Sequence, residues 1–484
     1  MTQSTSRRAF LRQAALLAGA GAATPLALNL AAMGAASAQS ASGGYKALVC
    51  IFLYGGNDHH NTIIPFDLPT NAAYKGIRTG IGLDSSELSA TVLNPDNPWD
   101  DGRTAGRQMA FHPGMTALTE VFNQGHLALA MNVGTLVAPV KDYATTPPSG
   151  LPPKLFSHND QQSVWQSGLA EGAISGWGGR MADLMLAGNG QGSSFTSISA
   201  AGNAVFMSGQ DAVQYQVGSN GPVVLKPVFG NAASGVALQR IMQRGSAQLF
   251  EGDHAAIATR AIGLQAKVSA AIDTTLPTDA AYARLDTAIG LGNPLAAQLK
   301  IVARMIAGRS QLVQGESPRQ VFFVSLGGFD HHDFLLNRQG PLLTAVSDAM
   351  AGFYAATVSL GVQDQVTAFT GSDFGRTLSS NGDGSDHGWG SYHMVMGGAV
   401  KGRRWYGQLP LMSLAKGDDP VGSGRLVPKM AVDQYGATMG LWMGLNEGQL
   451  LGTEARQYKD GVFPNLNRFG DVQGNHIDQG FMTL

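Results

Sequence analysis

The chain has 484 residues, with 32 basic and 34 acidic side chains, 44% hydrophobic residues and one cysteine. That length suits two domains or one large sheet domain with insertions, and the near-neutral charge, without a long basic stripe, argues against a nucleic-acid partner. The single cysteine, Cys50, excludes an intrachain disulfide and an all-cysteine iron–sulfur cluster, and its place inside an apolar run predicts a buried, inert thiol.

In chain order, Ser6-Arg7-Arg8-Ala9-Phe10-Leu11-Arg12 reads as a twin-arginine export motif, followed by an apolar stretch from Ala14 to about Leu30 and a cleavage site at Ala36-Ser37-Ala38. Residues 1–38 are therefore expected to be a cleaved signal, with the twin-arginine translocase as partner during export and a periplasmic or secreted destination. No later segment is long and apolar enough to predict a stable membrane span. Removing the three arginines of the signal from 32 basic residues leaves 29 against 34 acidic ones, a mildly acidic mature chain.

The mature part, 39–484, reads as one α/β domain. Ala47 to Tyr54 is a first buried strand; a loop-rich stretch follows, with Asn94-Pro95-Asp96-Asn97-Pro98 as strong turn chemistry. Pro113 to Asn123 predicts an amphipathic helix with Pro in its first turn, and Leu127 to Val133 a second strand. A Pro-rich segment, Lys141 to Pro153, leads to Phe156-Ser157-His158 and a helix to Ser167. From about 189 to 290 short polar alternations precede a helical pattern near Val236 to Ile272, and this region is expected to be an inserted cap. Helices near Pro294 to Arg309 and Pro341 to Ser359 then alternate with strands Val321 to Leu326 and Val366 to Thr370, and Met394 to Met396 closes the series.

Four blocks carry the chemistry: Gly55-Gly56-Asn57-Asp58-His59-His60, Gly327-Gly328-Phe329-Asp330-His331-His332, Ser372-Asp373-Phe374-Gly375-Arg376 and Asp386-His387-Gly388. The first three directly follow candidate strands. An apolar run ending in Gly and then a carboxylate places polar groups at the carboxyl edge of a parallel sheet, where α/β proteins bind ligands. Converging carboxylates and imidazoles at such an edge suit a divalent metal.

Together with the twin-arginine signal, Ser157-His158 and Asp386-His387-Gly388-Trp389-Gly390, these blocks resemble the bacterial "domain of unknown function 1501" family from about Tyr45 to Phe469. The resemblance extends to the alkaline phosphatase and sulfatase superfamily. It implies an α/β fold with a mixed, mainly parallel central sheet sandwiched by helices, and a two-metal hydrolytic site. Carried onto this chain, it implies Ser157 as nucleophile at a helix start. One ion would be held by Asp330, His332 and His387, a second by Asp58, Asp373 and the Ser157 oxygen, and Arg376 would clamp the substrate oxygens. The cofactor expected is one or two divalent ions; the mixed Asp/His set favours zinc or manganese over magnesium or calcium. The substrate implied is a small-molecule or polymer-linked phosphate or sulfate ester.

Two departures stand out. Phe374 occupies the position where the superfamily commonly has a histidine, so the second ion lacks a ligand unless His59, His158 or Asp386 supplies it. His331 and His332 are adjacent, and which of them faces inward stays open. Structural alternatives exist for each candidate: Asp58 as a turn cap, Ser157 as a helix cap, and Arg376 as partner of a nearby carboxylate. The rival functional class is a periplasmic binding or assembly protein that has lost part of the site; a redox role ranks last, because no dinucleotide fingerprint or cysteine cluster is present.

Overall fold

Runs of Val, Ile, Leu and Phe too apolar to face water on either side form the centre of a large sheet. The structure is a computed structural model that describes residues 44–484 except 142, 144, 224–232, 245–247, 275–278, 415–420, 454–460 and 471–476. The export signal expected over residues 1–38 lies outside the described residues. Strand β1 (Lys46–Leu53) is buried along nearly its whole length. Its side chains alternate: Val49, Ile51 and Leu53 enter one core, and Leu48, Cys50 and Phe52 the other. A strand buried on both faces must have layers on both, and it does.

Ile63–Pro65 and Met109–Phe111 form a separate antiparallel pair; the other strands of the large sheet are β2 (Leu127–Gly134), β3 (Ser197–Ser199), β4 (Tyr215–Gly218), β5 (Gly221–Pro222), β6 (Arg319–Leu326), β7 (Val366–Ser372), β8 (Ser391–Met396), β9 (Arg404–Gly407) and β10 (Met430–Ala431). Among the described residues they make one ten-stranded sheet in the order β9-β2-β8-β7-β1-β6-β3-β4-β5, with β10 also paired to β2. The block from β7 through β1 and β6 to β4 is parallel, whereas β8 runs antiparallel to both its neighbours. One face is covered by α1 (Thr116–Asn123), α4 (Pro294–Ala307) and α5 (Leu335–Ser359), and the other by α2 (His158–Ser167), α3 (Trp177–Met185) and α6 (Val432–Met443). This is the α/β class expected: a mixed, mostly parallel sheet between helices.

Two boundaries move. Helix α5 starts at Leu335, six residues before Pro341, which sits inside it. Leu335 N–H bonds the Asp383 carbonyl, so an outside acceptor holds the first turn that the proline seemed to begin. The segment from about 189, expected to be a cap, starts within the sheet instead: β3 pairs parallel with β6, and β4 with β3. Only then come the helices Ala233–Met242 and Leu249–Thr274, which carry exposed Ile241, Phe250 and Ile257. Among the described residues no helix is long and apolar enough to cross a membrane.

His59, His60 and His393 lie wholly inside this core. The rings of His59 and His60 stand 3.9 Å apart just after β1, and His393 on β8 lies between Trp165 and Tyr435. Burial disfavours their charged forms, holding His59 and His393 down at about 3 and His60 well below the usual imidazole value. The unfolded chain takes up these protons near pH 6.5; the native chain takes up those of His59 and His393 only near 3, and that of His60 well below 6.5. The contribution of His59 and His393 to stability is therefore complete above about pH 6.5 and is lost as pH falls toward 3, at about 1.4 kcal/mol per pH unit for each of the two, and His60 acts in the same direction. Urea unfolding followed from pH 7 to pH 4.5 should show this slope, flattened by one proton equivalent in His393→Asn; an unchanged slope in that variant would contradict it.

Candidate metal centre

The sheet positions the centre by register. Leu53 at the end of β1 pairs with Leu326 of β6 on one side and Ser372 of β7 on the other, so the segments after all three strands emerge at one edge. Two of these segments nearly touch. Gly55 has φ +112°, and a Cβ there would stand 2.5 Å from the backbone nitrogen of Asp330, so only glycine fits.

Arg376 fastens the edge from below. It is fully buried, and its Nε donates to the Gly56 carbonyl at 2.8 Å and its Nη1 to the Ser385 carbonyl at 3.0 Å. Its Nη2 donates to the carbonyls of Gly55 and Phe329 and to Asp330 Oδ1 at 2.5 Å. Burial alone would raise the Asp330 carboxyl, but the Arg376 hydrogen bond and charge, helped by His158 and His332, outweigh it and bring it down to about 2. Asp330 is thus an anion with one oxygen partly tied down and an outward side that is 44% exposed.

Three imidazoles surround it, and each is anchored through Nδ1. His158, the first residue of α2, donates from Nδ1 to Asp373 Oδ2 at 2.7 Å and turns Nε2 toward Asp330 Oδ2 at 3.4 Å. His387 donates from Nδ1 to the Phe156 carbonyl at 2.6 Å and sets Nε2 at 3.3 Å from Asp330 Oδ1. His332 has Nδ1 at 3.3 Å from Asp386 Oδ1 and Nε2 at 3.2 Å from Asp330 Oδ1. The Nε2 atoms of His332 and His387 are 2.8 Å apart.

The tautomers follow from the partners. Carboxylate and carbonyl oxygens only accept, so each anchored Nδ1 carries the hydrogen and each neutral Nε2 presents a lone pair. Lone pairs on His332 and His387 then face one another, and both face a carboxylate. Such a set repels itself unless a proton or a cation sits among the four groups. Zinc–ligand distances of about 2.0–2.1 Å put tetrahedral ligand atoms roughly 3.3 Å apart, close to the 3.2, 3.3 and 3.4 Å separations from Asp330. One ligand atom from each of His158, Asp330 and His387 already lies within 4.8 Å of the others. Burial lowers the His387 proton affinity, while the Asp373 hydrogen bond raises that of His158.

The structure divides the expected residues into two groups. Asp330, His332 and His387 are brought together. Asp58, Asp373 and Ser157 are not. Asp58 is buried, accepts from Asn61 N as the cap of a short turn, and is paired with the buried Arg78 at 2.5 Å and hydrogen-bonded by Ser385 at 2.7 Å. Burial opposes its ionisation, but Arg78 and Ser385 hold its carboxyl below the usual range. Asp373 is also buried and gives Oδ1 to Gly55 N and Oδ2 to His158 and Gln162, so it orients an imidazole instead of facing an ion. The Ser157 hydroxyl donates to Asp160 at 2.8 Å on its own helix. Arg376, expected as a substrate clamp, has its Nε, Nη1 and Nη2 all committed inside the protein. His332 faces the centre, and His331 is buried beside Phe329. Phe374 packs its ring 4.8 Å from His158 and 4.5 Å from His387, an apolar wall behind two imidazoles.

Sequence reasoning put His158 only among spare ligands and did not find the Phe156 carbonyl at all. The first had a signal, a histidine directly after the candidate nucleophile at a helix start; a backbone carbonyl has none.

Comparison with family models matches residues 45–454 to one described as "Protein of unknown function (DUF1501)". Comparison with curated proteins finds no match.

Asp58→Asn removes the charge that compensates Arg78 in a site closed to water. It should lower the unfolding free energy by roughly 3–5 kcal/mol, read by urea titration, with any metal uptake of the folded protein equal to that of the natural chain. Loss of metal with stability unchanged would instead place Asp58 among the ligands.

Proposed function

The chain belongs to the DUF1501 family, and from that premise and the geometry of its sheet edge we propose an exported, metal-dependent hydrolase of phosphate or sulfate esters. The observation that carries this is the convergence of the Nε2 atoms of His158, His332 and His387 on Asp330, each imidazole locked by an acceptor at Nδ1. Imidazole-rich donors with one carboxylate favour zinc, then manganese, over magnesium and calcium. One ion is proposed, because the residues expected to hold a second are committed elsewhere. Export is supported by Ser6-Arg7-Arg8 and the apolar stretch after it.

A divalent ion at this position would polarise an ester oxygen and offset charge on the leaving group. The protein's own residues then have distinct tasks. Asp373, Asp386 and the Phe156 carbonyl fix the imidazoles, and Arg376 keeps Asp330 ionised. Ser157 precedes α2, where backbone N–H groups favour an anionic group. Its hydroxyl is bonded to Asp160, so to act as nucleophile it would have to turn toward Asp330, passing its proton to Asp160 as the ester's leaving oxygen departs, with water later releasing the acid from the serine. Phe374 and the buried base of the site keep water from behind the imidazoles.

A second reading, a binding or assembly protein on the same scaffold, is favoured by one observation: Asp58 is sequestered by Arg78, and Asp373 by His158. Metal content of the mature protein, purified without chelators or tag and read by plasma mass spectrometry, separates the readings when paired with an ester panel. One zinc or manganese per chain, lost in a folded His332→Ala/His387→Ala variant, with turnover of a phosphate or sulfate ester that chelation abolishes, is the expected result. Metal without turnover leaves the binding protein. No metal, and none taken up on titration, contradicts the proposed centre.

A further inference from the structure

With Arg376 buried and committed, a site for an anionic ester needs another cation, and the rim of the centre has one. Arg425 is half-buried, and its Nε donates to the carbonyl of His387 at 2.8 Å. Its Nη1 donates to the Gly422 carbonyl at 3.1 Å, and its guanidinium carbon lies 5.1 Å from the centre of the Phe156 ring. Phe156 is the residue whose carbonyl anchors His387, and it holds a left-handed φ of 73°. Arg425 and the metal-facing imidazole are therefore fixed by the same strained residue, one through its ring and one through its carbonyl. A non-glycine residue in that backbone region is strained, and such strain tends to persist at functional sites.

The other rim cations are already engaged: Arg338 pairs with Asp333, and Lys154 with Asp160 and Glu171. Among the described residues Arg425 has no carboxylate within ion-pair distance, and its positive charge reaches Asp386 only at longer range. A guanidinium has five N–H donors in a planar fork. Carbonyls take one on Nε and one on Nη1, and among the described residues no acceptor takes the rest.

We propose that Arg425 is the oxyanion-recognition residue of this site, binding the non-bridging oxygens of a phosphate or sulfate group held beside His387. The inference rests on the ester-hydrolase reading and deepens it, because it names the residue that would choose a tetrahedral anion over a neutral ester. Charge-assisted bonds from a guanidinium fork are among the stronger polar contacts, so losing them should be plainly measurable.

The test is calorimetric binding of inorganic phosphate to the zinc-loaded protein, comparing the natural chain with Arg425→Met and Arg425→Lys, with zinc per chain measured on the same samples. The expected result is phosphate binding weakened at least tenfold in Arg425→Met and partly regained in Arg425→Lys, with zinc content equal in all three. Equal phosphate affinity in Arg425→Met, with zinc retained, overturns this inference and leaves the hydrolase reading standing. Zinc lost from Arg425→Met and from Arg425→Lys shows a brace for His387 rather than an anion site, and also overturns it. A natural chain that takes up no zinc removes the hydrolase reading and this inference together.

Discussion

A single buried guanidinium holds the candidate centre in place. Arg376 reaches backbone carbonyls on the segments after β1 and β6 and in the loop before His387, and it finishes on Asp330. Each carbonyl would be costly to leave unpaired in an interior site. The charge itself could not remain there without Asp330. Because one group satisfies all of them, the three loops can be fixed relative to one another only in the arrangement that presents Asp330 outward. The centre's carboxylate is thus a by-product of solving a burial problem.

The same economy governs the imidazoles. An imidazole is a useful ligand only when its free nitrogen is the one facing the ion, and that is set from behind. Asp373 does this for His158, Asp386 for His332, and a backbone carbonyl for His387. Asp58 works in the same spirit one layer deeper, neutralising Arg78 beneath the loop. The acidic residues after the strands therefore do different jobs: one faces outward, and two hold other groups in position. The result is one cluster of imidazoles around Asp330 at the sheet edge, with Asp58 and Asp373 taken up by internal pairing and the Phe374 ring packed behind.

Much of this was legible in the sequence. The strands β1, β6 and β7 are read correctly because continuous apolar runs have few other uses, and the Gly-rich turns after them mark the edge where Asp330 and the imidazoles gather. The trio Asp330, His332 and His387 follows from an Asp-x-His pair after a strand and a histidine in a Gly-rich loop. What the sequence did not reveal was which carboxylates are spent. Asp58 looks like a ligand until Arg78, 20 residues away, is seen to reach it. Arg376 looks like a clamp until its donors are traced to four carbonyls far apart in the chain. Ser157 and His158 were neighbours in the reading, yet only the imidazole turns to Asp330. The start of α5 and of the region after 189 were misplaced for a related reason: a distant carbonyl and a distant strand edge override local propensity.

The most direct test of the centre is anomalous diffraction at the zinc edge from crystals of the protein grown with zinc. One strong peak beside Asp330, with the Nε2 atoms of His332 and His387 and of His158 directed to it, is the predicted result. A peak bounded instead by Asp58 or Asp373, or none at the sheet edge in protein that is folded and zinc-saturated, would contradict it.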